Sequence, residues 1–176
     1  MFLEIGAITA GILVSFFLKD INFLAINFDF LNSGLIYPDF PLLLMIFFAL
    51  RKGEFHGLWI GFFAGMLEDA GVLHFSESAR EFVTILGVHA GVYTLAGFIL
   101  GKINKLIDQY HTAPIIVLVV VSTIIIRFTV WLLMGILDDF NKSYSFLGPA
   151  FYTALLSPIW FWILGWLFRV HYDEAK

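Results

Sequence analysis

Arg51-Lys52-Gly53-Glu54-Phe55-His56-Gly57-Leu58-Trp59-Ile60-Gly61-Phe62-Phe63-Ala64-Gly65-Met66-Leu67-Glu68-Asp69-Ala70-Gly71 is the stretch on which the reading of this chain turns. Gly53, Gly57, Gly61 and Gly65 stand four residues apart, which places them on one slowly drifting stripe of a helix. The residues between them are large and apolar. In water such a helix gains little, because each glycine costs about 1 kcal/mol relative to alanine. In lipid the same stripe lets a second helix approach to backbone contact, which is how membrane helices associate without a hydrophobic drive. The stripe runs out at an acidic pair, Glu68-Asp69.

Composition sets the class. Of 176 residues, 60% are hydrophobic and 14% are charged, with a mean hydropathy of +0.91. A soluble domain has no use for that much apolar surface, so the chain reads as an integral membrane protein. It has no cysteine, which excludes disulfides and thiolate metal sites. A net charge of −4 without a basic stripe argues against nucleic acid as a partner. Met1-Phe2-Leu3-Glu4 lacks a basic n-region, and no small-residue cleavage site follows, so the first apolar segment is expected to stay in place.

The apolar segments predict an all-α, polytopic single domain with six transmembrane helices, at about 2–18, 38–53, 54–71, 82–105, 112–137 and 148–170. Ile21–Tyr37 is interrupted by Asn22, Asn27, Asp29, Asn32, Ser33 and Gly34, and reads as an extended or interfacial loop, or a short re-entrant piece. Pro38-Asp39-Phe40-Pro41 then opens the second helix, with prolines where N–H groups lack partners and an acid at the positive dipole end. Its length of about 24 Å is less than a hydrocarbon core, so it must be recessed among neighbours or the bilayer must thin. A tight turn at Gly53 makes the second and third helices a hairpin. Val72–Glu81 reads as a polar loop. The fourth span carries Gly87, Gly91, Gly97 and Gly101, within an arc of roughly 120°, and is expected to pack on the third through glycines. The fifth is the longest and cleanest, and Asp138–Leu147 a second polar loop. The sixth is broken by Ser157-Pro158 and rich in tryptophan.

With the N-terminus inside, the inner loops hold Arg51, Lys52, Lys102, Lys105, Arg169 and Lys176, and the outer ones Lys19, Arg80 and Lys142. That asymmetry places both termini in the cytoplasm. The outer side takes most of the acids: Asp20, Asp29, Asp39, Glu77, Glu81, Asp138 and Asp139. Trp160, Trp162 and Trp166 read as interfacial anchors.

Candidate chemistry is sparse. Arg127 stands mid-span, where a base faces the interior with a partner. An anion or proton site is one reading; a structural pair with Glu68 or Asp69, or a snorkelling side chain, is the favoured one. Glu68 and Asp69 could bind metal or act as acid and base, yet a third ligand is missing. The histidines His56, His74, His89, His111 and His171 show no metal-ligand spacing, and His89 reads as a hydrogen-bonded mid-span packing residue. Ser76, Ser78 and Ser157 have no neighbouring base. No cofactor and no enzymatic activity are expected. The 21 phenylalanines read as filling and lipid contact.

With the helix order in hand, the chain resembles the rod shape-determining protein MreD family. The resemblance rests on Pro38-Asp39-Phe40-Pro41-Leu42-Leu43-Leu44, Ala49-Leu50-Arg51-Lys52-Gly53, His56-Gly57, Gly61-Phe62, Gly65-Met66-Leu67 and Asp69. It continues through Gly87-Val88-His89-Ala90, Leu95-Ala96-Gly97-Phe98 and Leu155-Leu156-Ser157-Pro158, and is densest over 38–101. The loop at Val72–Glu81 is longer than the compact glycine-rich turn usual in the family.

The resemblance implies a non-enzymatic inner-membrane component of the bacterial elongation machinery, the elongasome. Such proteins bind MreC and, through it, MreB, RodA and its transpeptidase, and organise cell-wall synthesis and rod shape. The family fold is also similar to the substrate-binding component of energy-coupling-factor transporters, which supplies the alternative of a vitamin-type transport component. The scaffold predicts smooth or apolar exposed faces, and the transporter an outward cavity lined by polar groups. The glycines Gly53, Gly57, Gly61, Gly65, Gly87, Gly91, Gly97 and Gly101 are expected to pack helices or meet a partner. Pro38, Asp39, Glu68, Asp69 and Arg127 are expected to be structural polar positions.

Overall fold

The computed structural model describes residues 2–19, 21, 24–27, 35–71, 74–76, 81–83, 86–107, 111–137 and 146–168. The architecture is all-α. Helices α1 (Phe2–Lys19), α2 (Phe40–Lys52), α3 (Glu54–Gly71), α4 (Val88–Lys102), α5 (Thr112–Leu137) and α6 (Leu147–Phe168) form it, with a 3-10 turn at Asn104–Leu106. Two small antiparallel hairpins punctuate the helices. β1 (Ile26–Asn27) pairs with β2 (Leu35–Ile36), and β3 (His74–Ser76) with β4 (Glu81–Val83).

α2 is the axis. Asp39 caps it, with Oδ1 accepting from the Leu42 N–H at 3.0 Å, and Pro41 sits in its first turn. It stops at Gly53, whose φ of +88° suits glycine and whose N–H reaches the Ala49 carbonyl at 3.1 Å. Every residue from Phe40 to Arg51 is buried. A helix apolar on all sides belongs inside a bundle, and α1, α3, α4 and α6 all pack on it. Thirteen residues span about 20 Å. The recessed alternative is therefore the one realised. Aromatic rings lock it to α6: Phe47 meets Phe161 at 5.5 Å, Phe48 meets Phe168 at 4.9 Å, and Phe40 meets Trp160 at 4.6 Å between centroids.

α3 and α4 make the most extensive helix contact. A methyl group added at Gly57 would strike the Gly97 carbonyl, one at Gly61 the Tyr93 carbonyl, and one at Gly65 the backbone of His89 and Ala90. Added at Gly97 or Gly101, it would strike the backbone of Gly57 or of Gly53-Glu54. The two helices run antiparallel, backbone against backbone, along their whole shared length.

α5 and α6 pack differently. α5 buries one edge, Ile115, Val119, Ser122, Thr123, Ile126 and Val130, and α6 buries a stripe including Ala150, Thr153, Ala154, Ser157, Phe161 and Leu164. Both are long and apolar enough to cross a bilayer by length and composition. Inside α6, Pro158 supplies no N–H to the Ala154 carbonyl. The Ser157 hydroxyl donates to that carbonyl at 2.7 Å, so the break in the ladder is repaired by the preceding residue.

Three expectations need correction. The fourth helix begins at Val88 rather than Phe82, because Phe82 and Val83 are paired as a strand with Phe75 and His74. For the same reason the segment after Gly71 includes a hairpin and is not simply a polar loop. His89 consequently lies in the first turn of its helix, not mid-span. Asp20, Asp29, Glu77, Ser78, Arg80, Asp138, Asp139, Lys142, Arg169, His171 and Lys176 lie outside the described residues, as does most of the Asp138–Leu147 loop.

Candidate functional site

The polar side chains of the bundle collect where α3 ends and α2, α4 and α6 begin. Each of these helices presents backbone N–H groups that need acceptors. Asp69, whose side chain is fully enclosed, accepts from three of these N–H groups and meets the His89 ring as well. Its Oδ2 accepts from the N–H of Gly87 at 2.8 Å and of Ala90 at 3.1 Å. Its Oδ1 accepts from the N–H of His89 at 2.9 Å and faces His89 Nδ1 at 2.8 Å. Gly87 stands at the N-cap of α4 with φ +103° and has no side chain to cap with. The cap comes from the last turn of another helix instead.

Asp39 does comparable work one layer deeper. Its Oδ1 caps α2, its Oδ2 accepts from the Tyr93 hydroxyl at 2.9 Å, and its own N–H donates to Thr153 Oγ1 at 3.1 Å. One acid thus ties α2 to α4 and α6. Glu68, Asp39 and Arg127 all lie within electrostatic reach of the Tyr93 phenol, and Arg127 is half-buried. Farther out, the Tyr152 hydroxyl donates to the Leu24 carbonyl at 2.8 Å, which ties Leu24 to α6, and Ile36 is buried. Among the described residues no three potential metal ligands converge.

The glycines divide. Gly57, Gly61, Gly65, Gly97 and Gly101 lie in the α3–α4 contact, and Gly53 forms the α2–α3 turn. Gly87 and Gly91 have open space where a side chain would stand, so they contribute nothing to that contact. Pro38 precedes α2 and is buried. Of the tryptophans, Trp162 and Trp166 are exposed, whereas Trp160 packs on Phe40.

Sequence reading missed Tyr93 and Thr153, gave Ser157 no polar bond to make, and expected His89 to be hydrogen-bonded without naming Asp69 as its partner. A glycine at a helix N-cap was a usable signal, since some other acceptor must then serve that turn. The partner, 18 to 21 residues away, follows from no local spacing.

The outward faces are apolar. On α3, Phe55, Trp59, Phe62 and Phe63 form a ladder of ring contacts, with Trp59 stacked on Phe63 at 6.0 Å. On α6, Phe151, Leu155, Ile159, Trp162 and Trp166 are exposed along one side. No curated protein and no solved structure matches the chain. The family model for rod shape-determining protein MreD matches residues 6–172. A bundle of apolar-faced helices that matches that family over nearly its whole length is a cell-shape membrane protein of the rod-shape system, and the chain belongs to the MreD family.

Proposed function

We propose that this protein is a non-enzymatic inner-membrane scaffold of the cell-elongation machinery. In this reading all six helices are embedded and both termini are cytoplasmic. It binds MreC and, through it, joins MreB, RodA and its transpeptidase in organising peptidoglycan synthesis. The observation that carries the reading is the internal use of the polar groups. Asp39, Asp69, Tyr93, Thr153 and His89 bond one another or helix ends, while the outer faces present apolar side chains. Such a body offers surface to a partner helix and has its chemistry directed inward.

The alternative is a substrate-binding membrane component of a vitamin-type transporter. Convergence of polar groups at one end favours it; their saturation by one another weighs against it. Co-purification with MreC, together with depletion scored for loss of rod shape, separates the two. Retained rod shape with tight vitamin binding overturns the scaffold.

A further inference from the structure

The opposite end of the bundle concentrates positive charge. Here α2 ends at Arg51-Lys52, α3 begins, and α4 ends at Lys102 before the turn that carries Lys105. These pieces are held together tightly. Gly101 abuts the backbone of Gly53 and Glu54, and Asn104 Nδ2 donates to the Leu50 carbonyl at 3.4 Å. Arg51 is buried, with its guanidinium 5.8 Å from the centre of the Phe47 ring, and Lys52 is half-buried. Both make contacts inside the chain and contribute field more than reach. Lys102 and Lys105 are exposed, and Lys102 Nζ stands 5.9 Å over the Phe98 ring, its stem laid along apolar surface. Glu54 is the one exposed acid among the described residues of this junction.

We infer that this end is a docking edge for anionic phospholipid headgroups, with Lys102 and Lys105 contacting the phosphodiester. The observations that select lipid are positional. Exposed apolar residues Phe55, Leu95 and Ile99 lie next to the charged edge on α3 and α4, so acyl chains and phosphate have adjoining seats. Dipole complementation explains a cation at the α4 C-terminus. It covers Arg51 and Lys52 in the last turn of α2 in the same way, but not the gathering of these two termini with Lys105 at one junction. The inference rests on the proposed membrane reading, but lipid preference in micelles depends neither on topology nor on MreC.

The test uses the purified full chain in neutral detergent. It is offered equal amounts of phosphatidylglycerol and phosphatidylcholine and scored for bound lipid by native mass spectrometry. Phosphatidylglycerol is expected to be preferred. The K102Q/K105Q variant should lose that preference by about 25-fold, roughly fivefold per lysine. K102R/K105R and Lys142→Gln should keep it. In the unmodified protein the preference should shrink as salt rises. Equal retention of both lipids, an unchanged preference in K102Q/K105Q, or salt independence overturns the inference. So does displacement by inorganic phosphate at the lipid's own concentration, which would mark a free-phosphate site. Loss of MreC binding with lipid preference intact would instead fault the scaffold reading.

Discussion

α3–α4 and α5–α6 are two antiparallel-looking halves of one bundle built on opposite principles. α5 and α6 look like membrane helices: 26 and 22 residues, aliphatic and aromatic, with broad exposed faces. α3 and α4 are shorter, at 18 and 15 residues, and interrupted by glycine. Yet α3 and α4 approach until backbones touch, and a fully enclosed aspartate stitches their ends. The hydrophobic signal therefore marks where lipid is met, and the glycine signal marks where the fold is fixed. In lipid, apolar side chains are no better buried than solvated by acyl chains, so contact geometry decides.

The largest expected effect tests this directly. Gly61→Leu puts a branched side chain where even a methyl group meets the Tyr93 carbonyl. The neighbour is backbone and cannot swing aside, so a loss at or above roughly 3 kcal/mol is expected. Thermal unfolding in detergent measures it; a monodisperse, equally stable variant would mean that close approach is dispensable.

Asp69→Ala comes next. It strips acceptors from three N–H groups of α4 and from His89, which should cost roughly 3 kcal/mol, given about 1–3 kcal/mol for each buried group left unsatisfied and partial rescue by water. Amide exchange at Val88–Val92 should accelerate while α5 stays protected. Uniform loosening of both halves would instead mean that the cap serves the whole bundle.

Ser157→Ala probes the other half at its weakest point. Without the hydroxyl, the Ala154 carbonyl freed by Pro158 has lost its bond, for an expected 1 to 2 kcal/mol, on the order of one buried hydrogen bond. Replacing Ser157 and Pro158 together by alanine should restore most of it, because the helical ladder then closes. Tyr93→Phe removes the hydroxyl that Asp39 accepts from, and about 1 kcal/mol is expected.

The smallest effects lie at positions that share the motif but not the contact. Gly91→Ala should be neutral or stabilising by up to about 1 kcal/mol, since helix propensity improves and nothing is struck. Trp162→Leu on the exposed face of α6 should stay within about 0.5 kcal/mol. A large loss at Trp162 accompanied by loss of partner binding would move the docking face to α6.

Much of this was legible from residue spacing. The helix hairpin at Gly53 and the glycine-lined approach of the third and fourth helices follow from periodicity, because a stripe of missing side chains has one geometric use. Gly87 and Gly91 passed the same arithmetic and lie outside the contact. Spacing gives an arc on a helix, but not where the helix starts, and α4 starts only at Val88. Phe82 and Val83 are as suited to a strand as to a span, and the pairing with β3 that decides between them is tertiary. Asp69 was visible as an acid at a helix end. Its caps belong to another helix, and Arg127 and Glu68 both lie within electrostatic reach of Tyr93.

Enclosure of α2 has a consequence for biogenesis. Thirteen residues cannot hold a position across a bilayer whose core calls for about 20. The place of α2 is therefore fixed by the helices packed around it. Its flank facing Phe161 and Phe168 stays bare until α6 emerges, more than a hundred residues later. The sixth helix is the one that seals this flank of the axis, so a ribosome stalled before Leu147 leaves a product with α2 open on that side.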